Sequence, residues 1–362
     1  MNSGCDALSP FMAKISVIAL FVLAALATAF GQWEMQESHS KANLRGIHSV
    51  DGLVAWASGS DGTVLRTQDG GTHWQECAPP VGAATLDFRG VWAWDVNTAV
   101  VLSSGPGEQS RLYRTTDGCA HWTEETRNSD KAGFWDAVAF QHQDFGFIGD
   151  RKTGVLIGDP IAGRFHTEAM LFGHGWFLDD ASCAARPDET AFAASNSSVF
   201  VFGSRRYIIG TGGKGGPRTL LSPLLANRDT TKGCLESSVP LASGSDSSGV
   251  FSLAFRDLKH GLAVGGDYKR PGDSSGTAAW TSDGALHWTA ASKPPHGYRS
   301  AVAWFPDAET WIAAGTNGSD ISRDGGKTWQ PLDEGNWNAL SLPFAVGPNG
   351  RIGKLHSGGL KR

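Results

Sequence analysis

Thr67-Gln68-Asp69-Gly70-Gly71-Thr72-His73-Trp74 is repeated, with small changes, at three other places in the chain. The copies are Thr115-Thr116-Asp117-Gly118-Cys119-Ala120-His121-Trp122, Thr281-Ser282-Asp283-Gly284-Ala285-Leu286-His287-Trp288 and Ser322-Arg323-Asp324-Gly325-Gly326-Lys327-Thr328-Trp329. Their common pattern is [ST]-x-D-G-x-x-x-W. A Ser or Thr closes one strand, and Asp-Gly makes a tight turn whose carboxylate can cap free backbone N–H groups. The Trp opens the next strand and lays a large ring under the turn. Asp69, Asp117, Asp283 and Asp324, with Trp74, Trp122, Trp288 and Trp329, therefore read as framework. The His at 73, 121 and 287 fills one slot three times and reads the same way.

The spacing of the copies sets the architecture. The first two tryptophans are 48 residues apart (122 − 74) and the last two 41 (329 − 288). The gap between, 166 residues (288 − 122), holds about three units of roughly 50 residues, which is the length of a propeller blade. The expected fold is all-β: a seven-bladed β-propeller of four-stranded antiparallel blades, with six or eight blades as the alternatives. Blade 1 is expected at Leu44–Ile47, Leu53–Ala57 and Thr63–Arg66. Blade 2 follows at Phe88–Val91, Ala99–Leu102 and Leu112–Arg114. Blade 3 is expected at Trp135–Val138 and Phe145–Ile148, with a decayed turn at Phe172–Trp176. Blade 4 takes Ala191–Ser195 and Val199–Gly203 as its first two strands and Leu220–Leu225 as its third. Blades 5 and 6 start at Phe251 and Arg299. The tail from Trp337 supplies only three strands, so Trp33–Ser38 is expected to add the fourth and clasp the ring, leaving no open edge.

The composition fits this: 362 residues with 47 glycines, 14 tryptophans and 19% charged residues suit short strands and tight turns. A net charge of −5 offers no basic field for nucleic acid. Lys14 precedes an apolar run, Ile15 to Phe30, that ends in small residues. Residues 1–31 therefore read as a signal peptide, with 1–11 a possible upstream extension if Met12 is the start, and an uncleaved anchor as the alternative. The domain is then 32–362, exported to the periplasm or beyond, and expected to be monomeric. No later segment is apolar enough to span a membrane. Cys77, Cys119, Cys183 and Cys234 remain, an even number in an exported chain. Pairs Cys77–Cys119 and Cys183–Cys234 are expected, against the alternative of four free thiols.

The fourfold turn resembles the Asp box of the BNR-repeat β-propellers. Several other phrases are similar to exported bacterial relatives of the photosystem II stability/assembly factor. They are Ile157-Gly158-Asp159-Pro160 with Gly163-Arg164-Phe165, Phe192-Ala193-Ala194-Ser195-Asn196, Val264-Gly265-Gly266-Asp267-Tyr268, and Gly318-Ser319-Asp320. This resemblance covers essentially the whole mature chain. It implies a scaffold that holds a partner and needs no catalysis. Some members of that group are labelled glycosyl hydrolase or oxidoreductase.

Propeller ligands usually meet the face where the innermost strands begin. Aligning strand starts places Arg45, Arg89, Asp136, Ser252, Ser300 and Asn338 around the channel mouth, with Asp159, Asp267 and Asp320 on the loops between second and third strands. Such a rim could bind a protein or a glycan, or its residues could simply pair with one another and with water. The enzymatic alternative is a glycoside hydrolase with carboxylates drawn from Asp136, Asp159 and Asp267. A sialidase is disfavoured. It needs a Tyr nucleophile among three arginines, yet Tyr298 and Arg299 are strand neighbours that point to opposite faces. No metal-ligand spacing and no cofactor fingerprint occurs. The run Gly210–Gly216 lacks the lysine-serine/threonine ending of a phosphate loop and reads as a blade loop.

Overall fold

In the computed structural model, every blade expected from the repeats is built from four antiparallel strands, and there are seven of them. The structure describes residues 32–141, 153–171, 175–179, 182–202, 206–225, 233–356, 358 and 360. The signal segment, Phe145–Ile148 and Phe172–His174 lie outside these. Among the described residues no helix is long and apolar enough to cross a membrane.

Strands are lettered A to D from the channel outward. Blade 1 is Leu44–Ser49, Ala55–Gly59, Val64–Thr67 and Gln75–Cys77. Blade 2 is Phe88–Ala93, Ala99–Ser103, Arg111–Thr115 and Thr123–Arg127. Blade 5 (Ser248–Phe255, Gly261–Asp267, Ala278–Thr281, Thr289–Ala290) and blade 6 (Ala301–Phe305, Thr310–Gly315, Gly318–Ser322, Gln330–Asp333) repeat the plan. In blade 7, Ala339–Ser341, Phe344–Val346 and Ile352–Leu355 are completed by Trp33–Gln36, which pairs antiparallel with Ile352–Leu355. The clasp is therefore real. Trp33 tilts against Trp337 at 5.2 Å, and its indole N–H donates to Ser319 Oγ of blade 6 at 3.1 Å.

Two blades correct the sequence reading. In blade 3, strand B is Gly154–Ile161, followed by Arg164–Met170 and Trp176–Leu178. In blade 4, Val199–Phe202 is strand A rather than strand B, followed by Arg206–Gly210, Arg218–Leu221 and Leu235–Ser238. Ala191–Ser195 is not a strand. Instead Glu189–Thr190 pairs with Gly212–Gly213, and that pair extends blade 5 to six strands through Gly212 and Gly249. The approach explains the glycines: a Cβ on Gly249 would lie 2.3 Å from the Gly212 Cα.

Seven apolar clusters sit one between each pair of neighbouring blades, from Leu44 and Phe344 at blades 1 and 7 to Ile157 and Ile209 at blades 3 and 4. The repeated turns feed these interfaces. Trp74 meets Phe344 of blade 7 edge-on at 5.7 Å. Trp122 donates its indole N–H to the Ala78 carbonyl at the end of blade 1, and Trp288 to Thr219 of blade 4, both at 3.0 Å. Each Trp thus ties its blade to the one before, while Trp329 is fully buried under its own turn.

The turn carboxylates do structural work. Asp69 Oδ1 accepts from Thr67 Oγ1 and from the His73 backbone N–H, each at 2.9 Å, and Oδ2 meets His73 Nδ1 at 2.6 Å. Asp117 and Asp283 repeat this with His121 and His287, and Asp324 uses Thr328. The backbone bond from His73 and then its ring pull Asp69 down to about 2, and His121 does the same for Asp117. Both expected disulfides form. Cys77–Cys119, with Cα atoms 5.7 Å apart, staples blades 1 and 2, and Cys183–Cys234, at 5.4 Å, staples the segment after blade 3 to blade 4.

Candidate functional site

The mouth residues owe their placement to one repeated irregularity. Strand A of blades 1, 2, 3 and 5 each carries a bulge, at Arg45, Arg89, Asp136 and Phe251. A bulge re-aims the side chain that the extra residue carries. Ser252 is therefore one residue out of the expected alignment: Phe251 is the equivalent of the arginines, and Ser252 matches the small residues Gly46, Gly90 and Ala137. Ser300 and Asn338 stand one residue before their A strands, which begin at Ala301 and Ala339. Asp320 lies inside strand C of blade 6, not on a loop, because the blade 6 turn is only Thr316-Asn317.

The structure brings Arg45, Arg89, Asp136 and Asp159 together. Arg89 donates to Asp87 Oδ2 at 2.7 Å and lies over the Phe134 ring at 5.8 Å. Burial lowers the Arg45 pKa, and the neighbouring Arg89 charge adds to the effect. Arg45 reaches the Ala193 carbonyl through one terminal nitrogen at 3.4 Å, while its buried Nε has no partner among the described residues. Asp136 is also buried with an unpartnered Oδ2. Burial and then the Asp159 charge push its carboxyl well above the ordinary range, against the pull of Arg89. Asp159 accepts from Thr190 Oγ1 and from the Ala191 N–H, and burial raises it too.

The other candidates are spoken for. Ser300 donates to the Asn338 carbonyl at 2.8 Å, and Asn338 donates to Asn43 Oδ1 and the Leu44 carbonyl, both at 2.7 Å. Asp267 is held by Ser247, the Lys269 N–H and Arg270. Asp320 pairs with fully buried Arg299 and with His296.

What the sequence reading missed is a plug. The segment 192–198, overlapping the strand expected at Ala191–Ser195, runs across the channel instead. Asn196 stands in left-handed backbone (φ 61°). It accepts from the Val138 N–H at 2.8 Å and donates to the carbonyls of Val138 (3.0 Å) and Val91 (3.4 Å). Ser195 donates to the Ser300 carbonyl and Ser197 to Ser252 Oγ. Phe192 stacks on Phe251 at 3.9 Å, and Phe251 meets Tyr298 edge-on at 4.8 Å. The signal was present in Ser195-Asn196-Ser197-Ser198, a run too small and polar for an inner strand but suited to crossing one. With the plug in place, the large cavity, about 1090 Å³, opens at the opposite end, where the A strands finish.

No protein-family model and no curated protein sequence matches the chain. Solved structures do. YCF48 bound to a D1 peptide aligns with a TM-score of 0.58 at 14% identity, over 90% of this chain and 96% of that one. YCF48 from Cyanidioschyzon merolae aligns at 0.59 with 18% identity, over 90% and 98%. U3-55K reaches 0.58 at 11% identity, over 91% and 99%. The chain has the propeller fold of the photosystem II assembly factor YCF48, and at these identities the likeness is one of fold.

Proposed function

We propose that the mature chain, exported after removal of residues 1–31, is a monomeric binding scaffold. It takes a carboxylate-bearing segment of a protein partner at the mouth where the A strands begin. The observation that carries this is the pair of bulge arginines: a guanidinium with a buried unpartnered Nε is a poised donor for a carboxylate. Phe192, backed by buried Phe251, and exposed Tyr268 offer an apolar shelf beside it. A solved relative in fold, YCF48, carries a peptide, which supports a peptide ligand here. The two disulfides suit an oxidising compartment. A pull-down from periplasmic extract with wild type and Arg45→Ala/Arg89→Ala tests the reading, with circular dichroism to check the ring. A partner retained by wild type and lost by the variant supports it. A partner retained equally by both refutes it, and a partner released by glycan-removing enzymes assigns the mouth to a glycan.

A second reading is glycoside hydrolysis, because Asp136 and Asp159 are neighbouring carboxyls with raised pKa, one of them unpartnered. Turnover of a glycan panel that Asp136→Asn abolishes would favour it over the scaffold.

A further inference from the structure

Two groups at the mouth lack what they need, and a single anion supplies both. Arg45 makes no ion pair among the described residues. Its buried Nε is unpartnered, and one terminal nitrogen has only the Ala193 carbonyl, at 3.4 Å. Asp136 is 2% exposed, and its buried Oδ2 has no hydrogen-bond partner among the described residues. The two do not pair with each other: they stand on the bulges of blades 1 and 3, with Arg89 on the bulge between. The charged groups around Asp136 decide its form. Arg89, on strand A of blade 2, is engaged by Asp87 at 2.7 Å. Asp159, on strand B of blade 3, accepts from Thr190 Oγ1 and the Ala191 N–H. On strand C of blade 3, His166 stacks against Trp135 at 5.9 Å and pairs with Glu168 at 3.3 Å. Residues 192–198 bring no titratable group, and Glu189 before them is committed to Arg218 at 2.6 Å.

We infer that the mouth takes up its carboxylate ligand together with a proton from solvent, the neutral Asp136 donating to one carboxylate oxygen and Arg45 to the other. This rests on the reading that the mouth seats a carboxylate. No bond of the ligand breaks, and the proton stays on Asp136. Two neighbouring buried carboxyls cannot both carry charge cheaply, and the proton rests on the member without donors. Asp159 has two donors and Asp136 has none. Burial and then the Asp159 charge hold the Asp136 carboxyl well above its ordinary range, with Arg89 pulling the other way. Protonated, Asp136 is an O–H donor without an acceptor. A carboxylate seated beside Arg89 offsets the charge that favours ionised Asp136 and repels that ionised form directly. Binding therefore raises the Asp136 pKa, and by reciprocity protonation of Asp136 tightens binding. The sign follows. With the bound pKa above the free one, affinity is full below the free pKa, falls about tenfold per pH unit between the two, and levels off above the bound one. An ammonium ligand would expel the proton and bind more tightly as pH rises, but it would meet Arg45 and Arg89 as like charges.

The test titrates the full mature protein with acetyl-Phe-Ala-Ala, which carries one α-carboxylate and one ring for the shelf of Phe192 and Tyr268, and with the same peptide as its C-terminal amide. Calorimetry from about pH 5 to about pH 9, where the peptide carboxylate stays ionised, in buffers of differing protonation enthalpy, reads affinity and protons together. For wild type, affinity for the carboxylate peptide should fall about tenfold or more across that span, with net proton uptake on binding. Asp136→Asn, whose amide keeps a donor, should vary less than about twofold and take up no proton. Flat affinity without proton uptake in wild type, affinity rising with pH, or a wild-type profile that persists in Asp136→Asn would overturn the shared proton while leaving the arginine site standing. The last of these would move the titration to His166. No binding of the peptide, equal binding of its amide, or binding unaffected by Arg45→Ala/Arg89→Ala would overturn the mouth reading, and the shared proton with it. The proton count on wild type keeps the test decisive if Asp136→Asn does not fold.

Discussion

Replacing Asn196 by Ala should destabilise the ring out of proportion to the atoms removed. The substitution leaves the Val138 N–H without its acceptor, which costs about 1–3 kcal/mol when buried. It also removes two donations, to Val138 and Val91, each worth about 0.5–1.5 kcal/mol. Alanine in left-handed backbone adds about 1 kcal/mol. The sum is about 5 kcal/mol, or a fall in Tm of about 10 °C at about 2 °C per kcal/mol for a chain of this size. Gly90→Ala approaches the same contact from the wall: its Cβ would lie 2.5 Å from Asn196 Oδ1 and 3.1 Å from Leu102 Cβ. Overpacking alone costs about 1–3 kcal/mol. In the double variant most of that clash is gone, so the effects should fall short of additivity by about 1 kcal/mol. Thermal and urea unfolding of the four proteins measures the cycle. An Asn196→Ala protein melting within 2 °C of wild type, or strictly additive costs, would refute the plug as a structural bridge.

Other expectations follow from the same geometry. Asp69 and Asp117 are depressed to about 2 in the fold, so their stabilisation is complete above the ordinary carboxylate range near 3.8 and disappears as pH falls through 2. Asp69→Asn/Asp117→Asn should therefore flatten the acid limb of Tm against pH between about 4 and 2, and an unchanged limb would contradict this. Asp136 has the opposite sign: with its folded pKa raised, burying the charge costs stability once pH exceeds the unfolded value. Asp136→Asn should raise Tm at neutral pH, with the gain shrinking toward pH 4; a lower Tm at neutral pH would count against a strained carboxyl. Trp33→Ala should cost about 3–5 kcal/mol, because a buried ring, its contact with Trp337 and the bond to Ser319 are lost together. A negligible change on unfolding would show that the clasp is dispensable.

The legible part of this protein was the part that repeats. Four turns with one donor–acceptor pattern gave blade length, strand order and count. The missing fourth strand of blade 7 located the clasp, and an even number of cysteines gave the staples. The illegible part was single-copy. Strands B of blade 3 and A of blade 4 were displaced because no Asp-Gly turn punctuates them. Ser252 was off by one because a bulge inserts a residue without changing the hydrophobic pattern, so Phe251 looked like core. The plug was hidden because Phe192-Ala193-Ala194 alternates well enough to pass for a strand, and its partners lie on six different blades. Arg45, Arg89, Asp136 and Asp159 lie close enough to feel one another's charges, whereas Asp267 and Asp320 have local partners that no spacing reveals.

The most direct test of the central claim, that the partner seats at the mouth, is hydrogen–deuterium exchange on the captured complex against the free protein. The account predicts new protection at Ala191–Ala194, around Tyr268 and at the bulges Arg45 and Arg89, with the A–B turns His48–Gly52 and Trp304–Asp307 unchanged. Protection confined to those A–B turns, with the mouth exchanging as in the free protein, would contradict it.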